Sequence, residues 1–291
     1  MKKILAFLSI LASLIWLAVF SFPDKDLHLI FCDVGQGDAI LVQKGSNQIL
    51  IDGGPDEQVL ECLSDNLPFW DRNIEMVVLT HADSDHVTGL ISVLERYNVE
   101  YFVINNIAKD TDQFWRFREN LIKEGAKIYN PKAGEEIKIA DINFTVLWPE
   151  EELGNPLVWE LVSEVKESIL GAASYSGDLN ETSVVLRLNF GDFCALLVGD
   201  IGAETESQLD KVTPCQVLKV PHHGSKYSSS EEFLNHVKPD LAVICVGKNS
   251  FGHPTEEVLD RLESTGAKIL RTDQNGEIEI VSDGKKWSYR D

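Results

Sequence analysis

The chain has 291 residues, with 47 acidic against 26 basic side chains for a formal charge of −21, and 44% of its residues are hydrophobic. That length and apolar fraction suffice for one large core or two small ones, which excludes intrinsic disorder, collagen-like repeats and a multi-span membrane protein. The acidic excess excludes a protein that coats nucleic acid through its overall field, because that mode needs net positive charge to displace counterions; an anionic substrate must be met by local cations or bound metal.

Lys2 and Lys3 precede an uncharged run, residues 4–22. As a helix this run would span roughly 28 Å, near the hydrocarbon thickness of a bilayer, and the lysines favour a cytoplasmic N-terminus with the remainder exported. Residues 1–23 are therefore expected to be a membrane anchor or a signal peptide. Val19-Phe20-Ser21 is a poor cleavage pattern and the run exceeds a usual signal-peptide core, which favours the anchor. Residues 26–291 are read as one extracytoplasmic domain, membrane-anchored or secreted.

Next come three short, β-rich runs, LHLIFCDV, DAILVQ and QILIDGG, separated by Gly, Asn or Asp turn signals, which predict a meander. A helix is expected at 57–66, then strand IEMVVLT, helix HVTGLISVLERYN, strand EYFVIN and a helix over 111–125. INFTVLW, SVVLRLNF and DFCALLVGD read as strands, the last two joined by a hairpin turn at Phe190-Gly191-Asp192. Between them the acidic stretch 149–180 reads as an insertion. The tail repeats the alternation with QVLKVPHHGS, SSEEFLNHV, DLAVICVG, PTEEVLDRLESTG, AKILRT and the hairpin EIEIVSDGKKWSY. Both halves carry an apolar strand that ends in a His-bearing loop opening a helix, so the expected fold is α/β, a four-layer αββα sandwich with both His loops at one edge. Cysteines 32, 62, 194, 215 and 245 form no C-x-x-C, and three sit in apolar runs; they are expected to be buried core thiols rather than a disulfide framework or zinc knot.

The strongest chemical signal is THADSDHVTG, where a buried strand delivers His81, Asp83, Asp85 and His86 into the turn before a helix. Carboxylates and imidazoles packed this tightly call for a cation. Asp85 alone can also be read as a helix N-cap. LLVGD ends an apolar strand in Asp200, expected to bridge metals at the same edge. KVPHHGSKYSSS offers His222 and His223, which point in different directions, so that one binds metal and the other faces substrate; Ser225 and Lys226 at the following helix start are suited to a phosphate. His253 in FGHPTEE is a further edge histidine. Asp52 in LIDGG is expected to support the metal loop, Asp33 to Asp38 to form a glycine-rich turn nearby, and Asn180 to lie at a strand entry as a substrate contact. His28 and His236 read as structural.

These residues resemble the metallo-β-lactamase fold hydrolases, whose central motif is H-x-H-x-D-H, and within them the hydrolase domain of the ComEC-type DNA-internalisation competence proteins. FCDVGQGDAILV, ILIDGG, VVLTHADSDHVTGL, NETSVVLRL, LLVGDI, LKVPHHGS, GHP and RTDQNGEIEI carry the resemblance. It implies a one- or two-metal site, hydrolytic phosphodiesterase activity, and His81, Asp83, Asp85, His86, Asp200 and the His222/His223 pair as ligands or near-ligands; with His222 taken as the ligand, Asp85, His223 and His253 are expected to be catalytic. The chain departs from the general motif in two places. Asp83 stands at the second histidine, and no histidine lies between His86 and His222, Asn180 standing there instead. One site is then His81, Asp83, Asp200 and Asn180, oxygen-rich and suited to manganese or magnesium; the other, with Asp85, His86, Asp200 and a later histidine, suits zinc or manganese. Only one hydrophobic segment precedes the domain, so the chain alone is not expected to form the many-helix channel that accompanies this domain elsewhere.

The expected activity is metal-dependent cleavage of single-stranded DNA outside the cytoplasm, with the membrane and other DNA-uptake proteins as partners. Lys219, Lys226, Lys248 and Arg271 are expected to form a local basic patch. Hydrolysis of a small ester, lactone or β-lactam is the alternative, and a non-catalytic DNA-binding module a second.

Overall fold

The computed structural model describes residues 23–154, 177–209 and 212–290, together with 3, 4, 7–10 and 12. Most of the expected anchor and the bulk of the 149–180 insertion lie outside the described residues. Residues 3, 4, 7–10 and 12 are helical, and Ile4, Phe7, Leu8 and Ile10 are largely exposed. Among the described residues no helix is long and apolar enough to cross a membrane.

The predicted meander forms as β1 (Leu27–Phe31), β2 (Ile40–Lys44) and β3 (Asn47–Ile51), paired antiparallel. From β3 the pairing turns parallel through β4 (Asn73–Val78), β5 (Asn98–Val103) and β6 (Lys127–Tyr129). The crossovers are α1 (Val59–Asn66), α2 (Ser84–Leu94) and α3 (Asp112–Glu124). α3 is bounded by its own sequence: the Thr111 hydroxyl accepts a hydrogen bond from the Phe114 amide, and Gly125 closes the far end in a left-handed conformation.

The second sheet starts with β7 (Glu136–Ile139), β8 (Ile142–Trp148), β9 (Val185–Phe190) and β10 (Phe193–Leu197), antiparallel. A short α4 (Ala203–Glu206) follows, and β11 (Val217–Lys219) adds parallel to β10. After α5 (Glu231–Val237), β12 (Leu241–Ile244) and α6 (Glu256–Ser264), the parallel run ends at β13 (Lys268–Arg271). A one-turn α7 (Thr272–Asn275) then sends the chain back to the first sheet, where β14 (Ile278–Ser282) pairs with β1 and β15 (Trp287–Arg290) forms the edge. The sheets read β15-β14-β1-β2-β3-β4-β5-β6 and β13-β12-β11-β10-β9-β8-β7.

The apolar runs split by parity, as alternate side chains must. Leu27, Leu29 and Phe31 of β1 enter the core between the sheets with Phe144, Leu186 and Val243, while Ile30 faces the helical layer with Leu63, Leu90 and Phe117. On the other side Leu196, Leu218 and Ile244 pack against Phe233, Val258 and Leu262 of α5 and α6. Sheets covered on both faces explain why these strands read as continuous hydrophobic runs.

The cysteine expectation needs correction. Cys32–Cys62 and Cys194–Cys215 are disulfides, with Cα atoms 5.8 and 5.2 Å apart, and Cys245 is the free, buried thiol. Each pair joins a strand or strand end to a different segment, a proximity that spacings of 30 and 21 residues do not reveal.

Candidate metal centre

The carboxyl ends of the parallel strands meet at one edge, the position at which open α/β sheets bind ligands. β3 ends in Asp52, β4 leads to Thr80 and His81, β10 to Asp200, and β11 to His222 and His223. The loop after β1 closes over them. Gly37 sits so close to the Asp85 carbonyl that a Cβ there would collide with it, and the Asp38 amide donates to the same carbonyl at 3.3 Å. The glycine-rich turn therefore permits the approach that brings Asp38 into the site.

Four side chains converge. One ligand atom from each of Asp85, His86, Asp200 and His223 lies within 4.8 Å of the others. The Asp200 Oδ2 atom is 3.3 Å from His86 Nε2 and 3.2 Å from His223 Nε2, and Asp85 Oδ2 is 3.5 Å from His223 Nε2. The far nitrogen of each ring is engaged. His86 Nδ1 meets Asp52 Oδ2 at 2.8 Å, and His223 Nδ1 meets the Cys245 carbonyl at 2.7 Å, an acceptor that makes this nitrogen the donor. Asp52 is itself held by the Thr80 amide and hydroxyl, each at 2.8 Å. Both Nε2 atoms consequently point into the cluster, the arrangement by which outer carboxylates and carbonyls orient metal-binding imidazoles. Asp52, His222 and His223 adopt left-handed backbone angles, with φ of 60°, 48° and 51°; such strain on non-glycine residues is characteristic of functional sites.

A buried lysine forms the core of the cluster's electrostatics. Lys219 is fully buried and donates to the Gly199 carbonyl at 2.7 Å and to Asp200 Oδ1 at 3.1 Å, while also contacting Asp38 Oδ2. Burial disfavours its charge, but Asp38 and Asp200 outweigh this and hold the ammonium ionised. A lysine in the middle of the apolar run VLKVP was the signal, since a charge buried without a partner is too costly to persist. Of the expected basic patch, Lys219 is sequestered, Arg271 pairs with Asp273 at 2.7 Å and Lys226 lies over the Tyr227 ring, while Lys248 is exposed.

Burial opposes the charged form of each of these groups; mutual attraction overrides it at His86, His223, Asp85 and Asp200, whereas burial prevails at Asp38 and raises its pKa. Asp200 and Asp52 raise His86 well above its usual value, and Asp200 and Asp38 lift His223 to about 10. His223 and His86 in turn depress Asp85, and His223, Lys219 and His86 depress Asp200. His81, buried beside the positive His86, falls instead to about 4. Positive charge thus belongs at the centre of the cluster. A proton and a divalent cation are the two ways of supplying it, and they compete for the same Nε2 atoms. The residues fit a metal: the Nε2 atoms of His81, His86 and His223 are buried with no hydrogen-bond partner, the Asp200 contacts being within ion-pair distance but not aligned as hydrogen bonds. Asp85 does not cap α2, whose N-cap Asp83 makes no side-chain cap bond either.

The remaining expected residues divide. Asp83 bonds Lys109 Nζ at 2.8 Å and the Asn180 amide nitrogen lies 3.4 Å from His222 Nε2, while Asp83, Asn180 and Asp200 line one pocket, so three members of the oxygen-rich set are brought to the same cavity. Of the two adjacent histidines, His223 enters the cluster, whereas His222 faces His253 with ring centroids 5.6 Å apart. The successive left-handed residues swing the two rings apart, and this placement differs from the expected one. His222, His253, Asn180 and exposed Phe251 line a pocket of about 410 Å³ over Asp85, Asp200 and His223. Ser225 and Lys226 do not line it. The Ser225 side chain is turned into its own buried turn, accepting from the Tyr227 amide at 3.4 Å, and Lys226 is exposed beyond it.

Residues 32–248 match the metallo-beta-lactamase superfamily. The chain is 31% identical over 273 residues to ComE operon protein 3 of Bacillus subtilis, covering 85% of this chain and 32% of that protein. It is 29% identical over 267 residues to competence protein ComA of Neisseria gonorrhoeae, covering 89% and 33%. The chain thus spans about a third of the length of these curated relatives. Among solved structures it resembles the metallo-beta-lactamase fold protein YhfI from Bacillus subtilis, with a TM-score of 0.56 at 11% identity over 88% of this chain and 100% of that one. Igni18, a metallo hydrolase from Ignicoccus hospitalis, gives 0.53 at 17% identity over 87% and 98%. At these identities the structural likeness speaks for the fold alone. The sequence match runs through both His-bearing loops and both sheets, and by it the chain belongs to the metallo-beta-lactamase superfamily, with ComEC-type competence proteins among its homologues.

Proposed function

We propose that this chain is a divalent-metal-dependent phosphodiesterase that cleaves DNA, in single-stranded form, outside the cytoplasm. The observation that carries the reading is the group of Asp85, His86, Asp200 and His223, whose ligand atoms lie within 4.8 Å of one another and include two histidine Nε2 atoms without hydrogen-bond partners. These four residues would hold the ion, with His81 beside them. A bound divalent metal supplies Lewis acidity toward a phosphoryl oxygen and makes water acidic enough to attack near neutral pH. Manganese and zinc both suit two imidazoles with two carboxylates.

The chain's own groups do the rest. Asp52 and the Cys245 carbonyl fix the His86 and His223 rings, and Lys219 restrains one oxygen of Asp200 so that the other faces the cluster. Asp85 lines the pocket, placed to align an attacking water as well as to hold the ion. His253 is lowered in pKa by burial and by the neighbouring His222, which keeps its ring neutral near pH 7 and able to donate a hydrogen bond to a phosphate oxygen. Phe251, 71% exposed and stacked on His253 with centroids 5.7 Å apart, offers a flat apolar face to an unpaired base. Disulfides Cys32–Cys62 and Cys194–Cys215 support an oxidising, extracytoplasmic location, and the apolar run 4–22 supports a membrane anchor.

The test is cleavage of a labelled single-stranded oligonucleotide by metal-stripped protein with and without added manganese. Manganese-dependent cleavage that Asp85→Ala lowers at least about 100-fold, in line with loss of a metal-holding carboxylate, is expected. No cleavage by folded, manganese-loaded wild type, or equal cleavage by the variant, overturns the reading.

A further inference from the structure

The loop that carries Phe251 and His253 owes its shape to one side chain outside the pocket. Both ends of the loop are tied to the fold. Ahead of it, the Val246 amide donates to the Thr272 hydroxyl at 2.8 Å and the Val246 carbonyl accepts from that hydroxyl at 2.9 Å, while Gly247 packs so tightly on the Gly35 backbone that a Cβ would collide. Behind it, the Thr255 amide donates to the Gly224 carbonyl at 3.0 Å. Between these ties residues 248–254 belong to no strand or helix, so their backbone groups need partners of another kind.

Asn249 supplies them. Its Oδ1 atom accepts from the amides of Phe251, Gly252 and His253 at 3.0, 2.9 and 3.1 Å, and its Nδ2 group donates to the carbonyls of Gly247 and His253, both at 2.9 Å. Among the described residues these are the hydrogen bonds that the backbone of residues 251–253 makes. Gly252, with φ of 77°, supplies the left-handed turn that brings three successive amides round one oxygen. Phe251 and His253 line the pocket over the cluster, whereas Asn249 does not.

We propose that Asn249 is a positioning residue that sets the spacing between Phe251 and His253, so that the site selects a phosphate flanked by an unpaired base over a bare phosphodiester, a proposal that rests on the phosphodiesterase reading above. The two rings address different parts of a strand. His253 sits beside His222, with centroids 5.6 Å apart, over Asp85, Asp200 and His223, where the phosphate is attacked. Phe251 stacks on His253 at 5.7 Å and turns its other face to water, where a base can lie. Base and phosphate are thus met within one nucleotide's reach. Removing the Asn249 side chain leaves three amides and two carbonyls to water while both ends of the loop stay tied. The domain then keeps its fold and its cluster, and what is lost is the registration of the two rings.

The manganese-loaded full chain is assayed on two single-stranded oligonucleotides of equal length, one of thymidylates and one whose bases are replaced by abasic tetrahydrofuran residues, and the ratio of the two kcat/KM values is taken. Stacking on an aromatic ring is expected to give wild type a preference of about tenfold or more for thymidylates, carried by KM with kcat little changed. Asn249→Ala and Phe251→Ala are each expected to bring the ratio near one, and the double variant to have the ratio of Phe251→Ala alone, because residues that act through one another are not additive. Manganese content by mass spectrometry is expected to stay at the wild-type level in all three. An unchanged ratio in Asn249→Ala, with both substrates losing alike, is what a merely structural role gives and overturns the proposal; so does loss of manganese, or a ratio that falls further when Asn249→Ala is added to Phe251→Ala. If wild type cleaves both oligonucleotides equally well, the proposal is overturned and the phosphodiesterase reading stands. If folded, manganese-loaded wild type cleaves neither, that reading falls and the proposal with it.

Discussion

Lys219→Met gives the sharpest test of how the cluster is built. The substitution keeps the length and apolar stem of the side chain but removes an ammonium that bonds the Gly199 carbonyl at 2.7 Å and Asp200 Oδ1 at 3.1 Å and contacts Asp38. Asp38 and Asp200 are then left buried and facing each other without that countercharge. Removing one partner of a buried ion pair costs about 3–5 kcal/mol; His86 and His223 remain as partial countercharges to both acids. For a domain of this size each kcal/mol moves Tm by about 2–4 °C, so metal-stripped Lys219→Met should melt roughly 6–20 °C below wild type. Adding Asp38→Asn removes one of the two stranded charges and should recover part of the loss, a coupling that a double-mutant cycle reads directly. Thermal melts followed by circular dichroism in chelator measure all four proteins. A single variant within about 1 kcal/mol of wild type, well under the buried-pair range, or a double variant no better than the single, would refute the argument that Lys219 neutralises the cluster.

Two further outcomes test other parts of the fold. Cys32→Ser and Cys194→Ser each open a loop whose ends are 30 or 21 residues apart; each should cost about 3–4 kcal/mol on the chain-entropy argument, measured by urea unfolding with and without reductant. Unreduced protein opened in denaturant should react with a thiol reagent at Cys245 alone, and reaction at all five cysteines would contradict the pairing. His28 lies between Asp24 at 2.9 Å and Glu279 at 2.6 Å; burial disfavours its charge, but the two acidic partners prevail and raise its pKa. Its contribution to stability is therefore fully present below the unfolded-state value near 6.5 and disappears as pH rises through the higher folded-state value. His28→Gln should remove that part of the pH dependence in urea titrations from pH 5 to 9, and an unchanged profile would show that the pair contributes nothing.

Much of the fold was legible because its determinants are local. Apolar runs bounded by Gly, Asn and Asp located most strands, and the helix expected at 111–125 forms as Asp112–Glu124 between a Thr cap and a Gly terminator. The short elements escaped. β6 and β7 alternate exposed and half-buried residues at the sheet edges, α4 and α7 are single turns, and such segments carry too little periodicity to stand out. In the site, THADSDH and LLVGD announced a cation through the density of carboxylates and imidazoles at strand ends. The roles of His222 and His223 were open because neighbouring residues have the same sequence context, and only the backbone angles at each decide which ring turns inward.

The sequence by itself determined that a two-sheet αββα sandwich would present its acids and histidines at the ends of buried strands, since hydrophobic periodicity and turn chemistry act over a few residues. What only the tertiary structure decided were contacts between distant segments: Lys219 against Asp38, Cys32 against Cys62, and His28 against Glu279. Each depends on how strands from different parts of the chain order themselves in a sheet. That ordering is set by burying both sheet faces at once, a global condition that no short window of sequence contains.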